Sequence, residues 1–181
     1  LISVETMSMA TGGRGEAIID TSTLVNFLRI GRVDLLASHP AFRFIVIDVI
    51  RNEVTRHYGA QVALLDAALA NGQLWEDQPA ALIAMAELAE FAAMSSIKIG
   101  AGERAAIAAA KTRGFALAMD DERAWKLAGS GLTRLDTVSI MVDGIKAGSI
   151  DVAAADAIKR EWEQNHRFVK RHFSSFAELI P

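Results

Sequence analysis

The chain has no cysteine, so disulfides and thiolate metal ligands are excluded, and any bound metal must use oxygen or imidazole. The same absence agrees with a reducing, cytoplasmic setting. No stretch reaches the roughly eighteen uninterrupted apolar residues that a membrane-spanning helix needs. The first residues also lack the apolar run of a secretory signal, so the chain reads as soluble, with no membrane partner. Positive charge is not in excess either: the formal net charge is -3, and no global basic field draws the chain onto a nucleic-acid backbone. Net charge does not exclude a nucleic-acid enzyme, because a bound divalent cation offsets acidic residues and leaves Arg and Lys at the rim to meet phosphate. His39, His57, His166 and His172 show no metal-ligand spacing, which argues against zinc. Gly100 and Gly102 stand before a helix but lack the full Gly-rich signature and its Lys, so dinucleotide binding is not expected. There are no sequence repeats and no low-complexity segment beyond alanine enrichment.

What is present suffices for one domain: 181 residues, 51% of them hydrophobic, bury a sizeable core. Residues 1–15 mix small and polar residues without periodicity and read as a flexible tail. The sequence opens on Leu1, and an unusual initiation codon, Met7 or Met9 is an alternative start. The apolar run Ala17-Ile18-Ile19 ends in Asp20 and is followed by Leu24, Val25, Phe27 and Leu28 at helical spacing, with Gly31 as the stop. Phe42 to Ile47 is a second strand, and Asp48 is placed to cap a helix carrying Val49, Ile50, Glu53 and Val54. Residues 61–70 and 80–94 read as amphipathic helices, the second started by Pro79, with Leu74-Trp75 a short strand between them. Gly100 opens an Ala-rich helix ending at Gly114, and Phe115 to Met119 is a buried strand that runs into Asp120-Asp121-Glu122. A helix over 123–128, a strand over 132–135, a helix over 138–147 and a long polar helix over 152–173 complete the chain. The recurring strand-helix rhythm predicts an α/β fold, a twisted parallel sheet flanked by helices, over 16–150, with 151–181 as a C-terminal helical extension.

Asp20, Glu53, Glu103 and Asp121 each stand where a strand runs out or a helix starts, the positions at which an α/β protein gathers polar groups into one cleft. They are far apart in the chain, so only tertiary structure can bring them together. Taken singly, Glu103 in a helix first turn and Glu53 beside Arg56 or His57 have ordinary explanations. Asp20 is harder to explain away, because a carboxylate ending a buried strand is unfavourable unless paired or metal-bound.

Ile18-Ile19-Asp20-Thr21-Ser22 with Leu24, then Val49 to Val54, then Gly100-Ala101-Gly102-Glu103-Arg104-Ala105-Ala106-Ile107, then Ala118 to Ala124 resemble, in that order, the PIN-domain nucleases and in particular the VapC-like toxins. The resemblance covers roughly residues 18–150. It implies a PIN-like three-layer α/β fold, magnesium or manganese, and hydrolysis of RNA phosphodiesters by a metal-activated water. Carried over motif by motif, the metal-binding acids fall on Asp20, Glu53, Glu103 and Asp121, with Ser22 beside the first. Asp120 is the alternative to Asp121, which is preferred as the second residue after Met119. Asp136 precedes Thr137 where close relatives carry Gly, and is either a further ligand or the N-cap of the next helix, the latter being favoured.

Hard cations suit this chemistry, and magnesium keeps several waters, so Asp20 and Asp121 are expected as direct ligands, with Glu53 and Glu103 acting through water or on a second metal. Ser22 would orient the site by bonding Asp20 or a metal-held water. Arg51, Arg104 and Arg123, each close in sequence to an acid, are candidates for contacting RNA phosphates. With no duplex-reading element in view, the expected substrate is single-stranded RNA. Toxin-like relatives imply two protein partners, a small antitoxin that covers the cleft and a second copy of the chain. A binding module that keeps the fold without efficient cleavage is the alternative. An aspartate-nucleophile phosphohydrolase is disfavoured, since Asp20-Thr21-Ser22 lacks the second Asp that would serve as acid and base. Trp75, Trp125 and Trp162 read as packing residues, and the basic run Lys159, Arg160, Arg167, Lys170 and Arg171, interleaved with Trp162 and Phe168, as a solvated helix face rather than a partner surface.

Overall fold

Five parallel strands lie in the order β3-β2-β1-β4-β5. They are β1 (Gly15–Ile19), β2 (Phe42–Val46), β3 (Trp75–Glu76), β4 (Ala116–Ala118) and β5 (Arg134–Leu135). The structure, a computed structural model, describes residues 13–76, 79–95, 98–166, 168 and 173–180. The tail read at 1–15 therefore lies outside the described residues up to residue 12, and Gly15 already belongs to β1. Arg167, Lys170, Arg171 and His172 also lie outside them.

The carboxyl halves of β1 and β2 and all of β4 are apolar and buried, as the centre of a parallel sheet covered on its faces requires. Ala17, Ile18 and Ile19 are fully buried and pair with Phe44 and Ile45 on one side and with Ala116, Leu117 and Ala118 on the other. Each connection is helical. Helix α1 (Thr21–Arg29) buries Leu24, Val25, Phe27 and Leu28 and is followed by Gly31, whose φ of 64° an L side chain rarely adopts. A short α2 (Val33–Ala37), not foreseen from the sequence, leads to β2. Helix α3 (Asp48–His57) is capped by Ile47, so Asp48 is its first residue rather than the N-cap expected, and its side chain makes no cap bond. Helix α6 (Ala101–Arg113) buries an alanine run, whose small side chains let it lie close to the sheet, and ends at Gly114 in the left-handed conformation.

Helices α4 (Gly59–Ala70) and α5 (Ala81–Ala93) depart from the amphipathic expectation. None of the α5 residues is buried, and Leu82, Met85 and Leu88 stand well exposed. Helices α7 (Glu122–Ala128) and α8 (Thr137–Lys146) flank β5 in the chain.

The last helix, α9 (Val152–Asn165), stops well short of residue 173. Beyond it the chain folds back: Phe168 and Phe27 both meet the ring of Trp162 edge-on, and Phe176, in a 3-10 turn over Phe176–Leu179, packs on Phe173. Asp156 holds that turn by accepting from the Ser175 hydroxyl and the Phe176 amide. Burying these aromatics offsets the helical turns given up. Trp162 is 1% exposed and its indole N–H donates to the Asn26 carbonyl at 2.9 Å, which fastens α9 to α1.

His39 is a buried histidine, 1% exposed. Its Nδ1 accepts from the Ala41 and Phe42 amides, and burial pushes its pKa down.

Truncating the α9 anchor, Trp162→Ala, should lower stability by about 3–5 kcal/mol. Urea unfolding checks this, and a loss below about 1 kcal/mol would mean that α9 does not share the core.

Candidate functional site at the β1 and β4 strand ends

Strand order reverses at β1: the chain first builds outward through β2 and β3, then returns to add β4 on the other side. The connections leaving β1 and β4 diverge there, opening a crevice at their carboxyl ends, where ligands bind in open α/β sheets. Asp20 directly follows β1, and its amide donates to the Ala118 carbonyl at 2.9 Å. Asp120 and Asp121 follow β4 after the buried Met119. The sheet thus places three acidic residues at the same end of two paired strands.

Asp20 is 2% exposed and caps α1. Its Oδ1 accepts from the Thr23 amide at 3.0 Å and its Oδ2 from the Ser22 hydroxyl at 2.7 Å, the bond foreseen for Ser22. Burial raises the Asp20 pKa to about 6, against hydrogen bonds from Thr23 and Ser22 that lower it, and the charge of Asp120 adds to the rise.

The geometry divides Asp120 from Asp121. Asp120 is the acid whose charge Asp20 feels. It is buried, its Oδ1 accepts from the Thr137 amide at 3.1 Å, and its Oδ2 accepts from the Asn26 amide group at 3.0 Å and from the Thr137 hydroxyl. Asp121 is half-buried and caps α7: its Oδ1 accepts from the Arg123 and Ala124 amides, both at 2.7 Å, and its Oδ2 takes no part in those bonds.

Glu103 is bonded back to the Gly100 amide in a capping box. Glu53 reaches from α3 to accept the Thr21 hydroxyl at 2.7 Å, and its carboxylate lies against Gly102. Asp136 is 4% exposed and caps α8 through a reciprocal pair with Ser139, the cap reading favoured from the sequence.

Ser22, Glu103, Asp120 and Asp121 line one open depression of ≈ 340 Å³. Its other walls are Val25, Asn26, Arg29, Tyr58, His166 and Phe168, none of them singled out for this site from the sequence. The Arg29 guanidinium lies 5.5 Å from the Tyr58 ring centroid, so a cation and an aromatic face stand together on the wall. One signal was legible: Asn26 is a polar residue amid the apolar run Leu24, Val25, Phe27 and Leu28 that α1 buries.

The three arginines expected at the rim do not line the depression. Arg51 bonds Glu76 at 2.7 Å and Asp66 at 3.1 Å in a separate hollow. Arg104 lies over the Phe91 ring, and the Arg123 side chain reaches the Lys98 carbonyl at 3.4 Å.

Among the described residues no three His, Asp or Glu side chains converge on one point as an all-protein metal cage would require. The donor set still suits magnesium or manganese. All donors are hard oxygens, Asp121 keeps one oxygen outside its cap, and magnesium retains most of its waters and takes one or two carboxylates directly.

A family model described as a PIN domain matches residues 16–176. A search of curated proteins finds no match. Similar solved structures include VapBC2 from Rickettsia felis bound to a DNA fragment from its promoter, at 12% identity and a TM-score of 0.49, covering 67% of this chain and 98% of that one. DNA-bound VapBC from Salmonella typhimurium is 17% identical with a TM-score of 0.48 over 67% and 98% of the two chains. FitAcB from Neisseria gonorrhoeae is 18% identical with a TM-score of 0.39 over 67% and 97%.

Two outcomes follow from the carboxylate geometry. Asp121→Asn should leave stability within about 0.5 kcal/mol, since Asn caps a helix as well as Asp, whereas Asp120→Asn should lose roughly 1–2 kcal/mol by breaking buried charge-assisted bonds. Denaturant melts of both variants check the contrast, and equal losses would contradict it. Asp20, with a pKa raised from 3.8 to about 6, makes the metal-free fold less stable as pH climbs through that window, by up to roughly 3 kcal/mol. In chelator, Asp20→Asn should match the parent below pH 4 and exceed its stability above pH 6; a parent stability that rises between pH 4 and 6 relative to this variant would refute the assignment.

Proposed function

This chain belongs to the PIN-domain family, and from that membership we infer that it is a divalent-metal-dependent endoribonuclease of the VapC-like toxin kind. The observation that carries the reading is that Glu103, Asp120 and Asp121 line one open depression at the β1 and β4 strand ends, with Asp20 buried behind Ser22 and near enough to Asp120 to feel its charge. Asp20 and Asp121 are assigned as direct ligands of magnesium or manganese, and Glu53 and Glu103 as acceptors for its waters or for a second ion. The cation, when bound, supplies a water made nucleophilic near neutral pH and a counter-charge for the scissile phosphate.

The chain's own residues do the rest. Ser22 orients Asp20 through its hydroxyl, and Asp120, fixed by Asn26 and Thr137, sustains the negative field that draws the cation in. Arg29 is placed to meet a flanking phosphate and Tyr58 to stack against an unpaired base, which favours single-stranded RNA, because duplex RNA hides its base faces. The exposed apolar row Leu82, Met85 and Leu88 on α5 supports a protein partner, a small antitoxin or a second copy of the chain.

A second reading, a metal-binding interaction module without efficient cleavage, is favoured by one observation: among the described residues no three acids converge on one ion position.

Labelled RNA of one sequence, single-stranded or fully paired, incubated with manganese or with chelator, separates the two. The nuclease reading expects cleavage of the single strand that stops in chelator. It also expects a fall with Asp20→Asn beyond the ~10–100-fold typical of losing a residue that merely orients a ligand. Binding with no cutting by the intact site would overturn it in favour of the module.

A further inference from the structure

Gly102 has no backbone reason to be glycine. It lies in the first turn of α6 in ordinary helical geometry, is buried, and does not share the positive φ of Gly31 or Gly114. Alanine is the better helix former, favouring the folded chain by about two- to fivefold in a helix interior and by less in a first turn. What fills the space is Glu53. A Cβ at position 102 would come within 2.1 Å of Glu53 Oε2 and 3.4 Å of Ile50 Cδ1. The same Oε2 accepts the Thr21 hydroxyl at 2.7 Å. The Glu53 carboxylate is therefore held between a hydroxyl next to Asp20 and a bare Cα next to Glu103, one residue from an assigned acid on each side.

We propose that Gly102 and Thr21 are positioning residues for Glu53: Thr21 pulls its carboxylate toward the β1 end, and Gly102 leaves the room in which it can stand there. The proposal rests on the reading that the acidic crevice binds a divalent cation. It differs from a packing role for Gly102 in a measurable way. The atom that an added methyl meets is the far end of a flexible side chain, so Gly102→Ala displaces the carboxylate without moving the backbone. Gly102→Ala is then a variant that folds at least as well as the parent and binds metal worse.

The experiment is a mutant cycle on the full chain, read by urea unfolding, by manganese titration and by RNA cleavage. Expected are a Gly102→Ala protein as stable as the parent or up to about fivefold more so in its folding constant, with manganese affinity reduced ~10–100-fold. In an Glu53→Ala background, Gly102→Ala should remove no further affinity or cleavage, because the displaced carboxylate is already gone. Thr21→Val should weaken manganese binding, and Thr21→Ser, which keeps the hydroxyl, should restore most of it. A Gly102→Ala protein that binds manganese and cleaves like the parent would overturn the proposal, as would one destabilised equally with and without the Glu53 carboxylate. If the parent neither binds manganese nor cuts RNA, the functional reading falls on its own. The unfolding cycle between positions 21, 102 and 53 then decides the positioning, which stands with non-additive effects and fails with additive ones.

Discussion

Two like-charged carboxylates, Asp20 and Asp120, are buried side by side at the point where the sheet reverses its strand order. Burying one carboxylate is unfavourable, and a second beside it raises the energy further. The surroundings answer with a dense set of donors: the Ser22 hydroxyl and Thr23 amide for Asp20, and Asn26 and Thr137 for Asp120. These donors reduce the penalty but leave the Asp20 pKa near 6, chiefly through burial with a smaller push from Asp120, so the unfavourable charge is not fully relieved by the protein itself. On the proposed reading, a divalent cation in the adjoining crevice supplies the counter-charge.

Much of the surrounding architecture serves to hold this arrangement. Strands β1 and β4 pair directly, which fixes the two acids side by side. Helix α1 starts on Asp20, supplies Asn26 to Asp120, and is fastened through the Asn26 carbonyl to Trp162 of α9. The C-terminal helix is thereby linked to the acid pair through a single residue, and its end brings His166 to the wall of the depression. Helix α6 contributes the opposite edge, with Glu103 spent partly on its own cap and Gly102 making room for Glu53.

The elements built on local signals were legible in the sequence. An apolar run ending in Asp20, a helix closed by Gly31, and an alanine-rich helix closed by Gly114 all stand where periodicity and stop residues place them. The parallel α/β fold followed from the strand-helix rhythm, and Ser22, marked by the family resemblance as a partner of Asp20 or of a metal-held water, bonds Asp20. Features set by tertiary contacts were not. Arg51 precedes Glu53 by two positions, which on a helix turns it by ~200°, so nearness in sequence put it on another face, with Glu76 and Asp66. Helix α9 was read too long: it ends at Asn165, and Phe168 meets the Trp162 ring edge-on, a contact that no local periodicity marks. Arg29, Tyr58 and His166 reach the depression from three different elements, and no local pattern marks such a meeting.

Thermal unfolding with and without manganese tests most directly the claim that a cation completes the buried acid pair. At pH 7.5 a hundredfold excess over the dissociation constant should add about 2.7 kcal/mol to the native state. For a chain of this size that corresponds to a rise in Tm of roughly 5–10 °C. The rise should largely vanish in Asp20→Asn. A Tm that saturating manganese leaves unmoved in the parent, or moves equally in the variant, would contradict the claim.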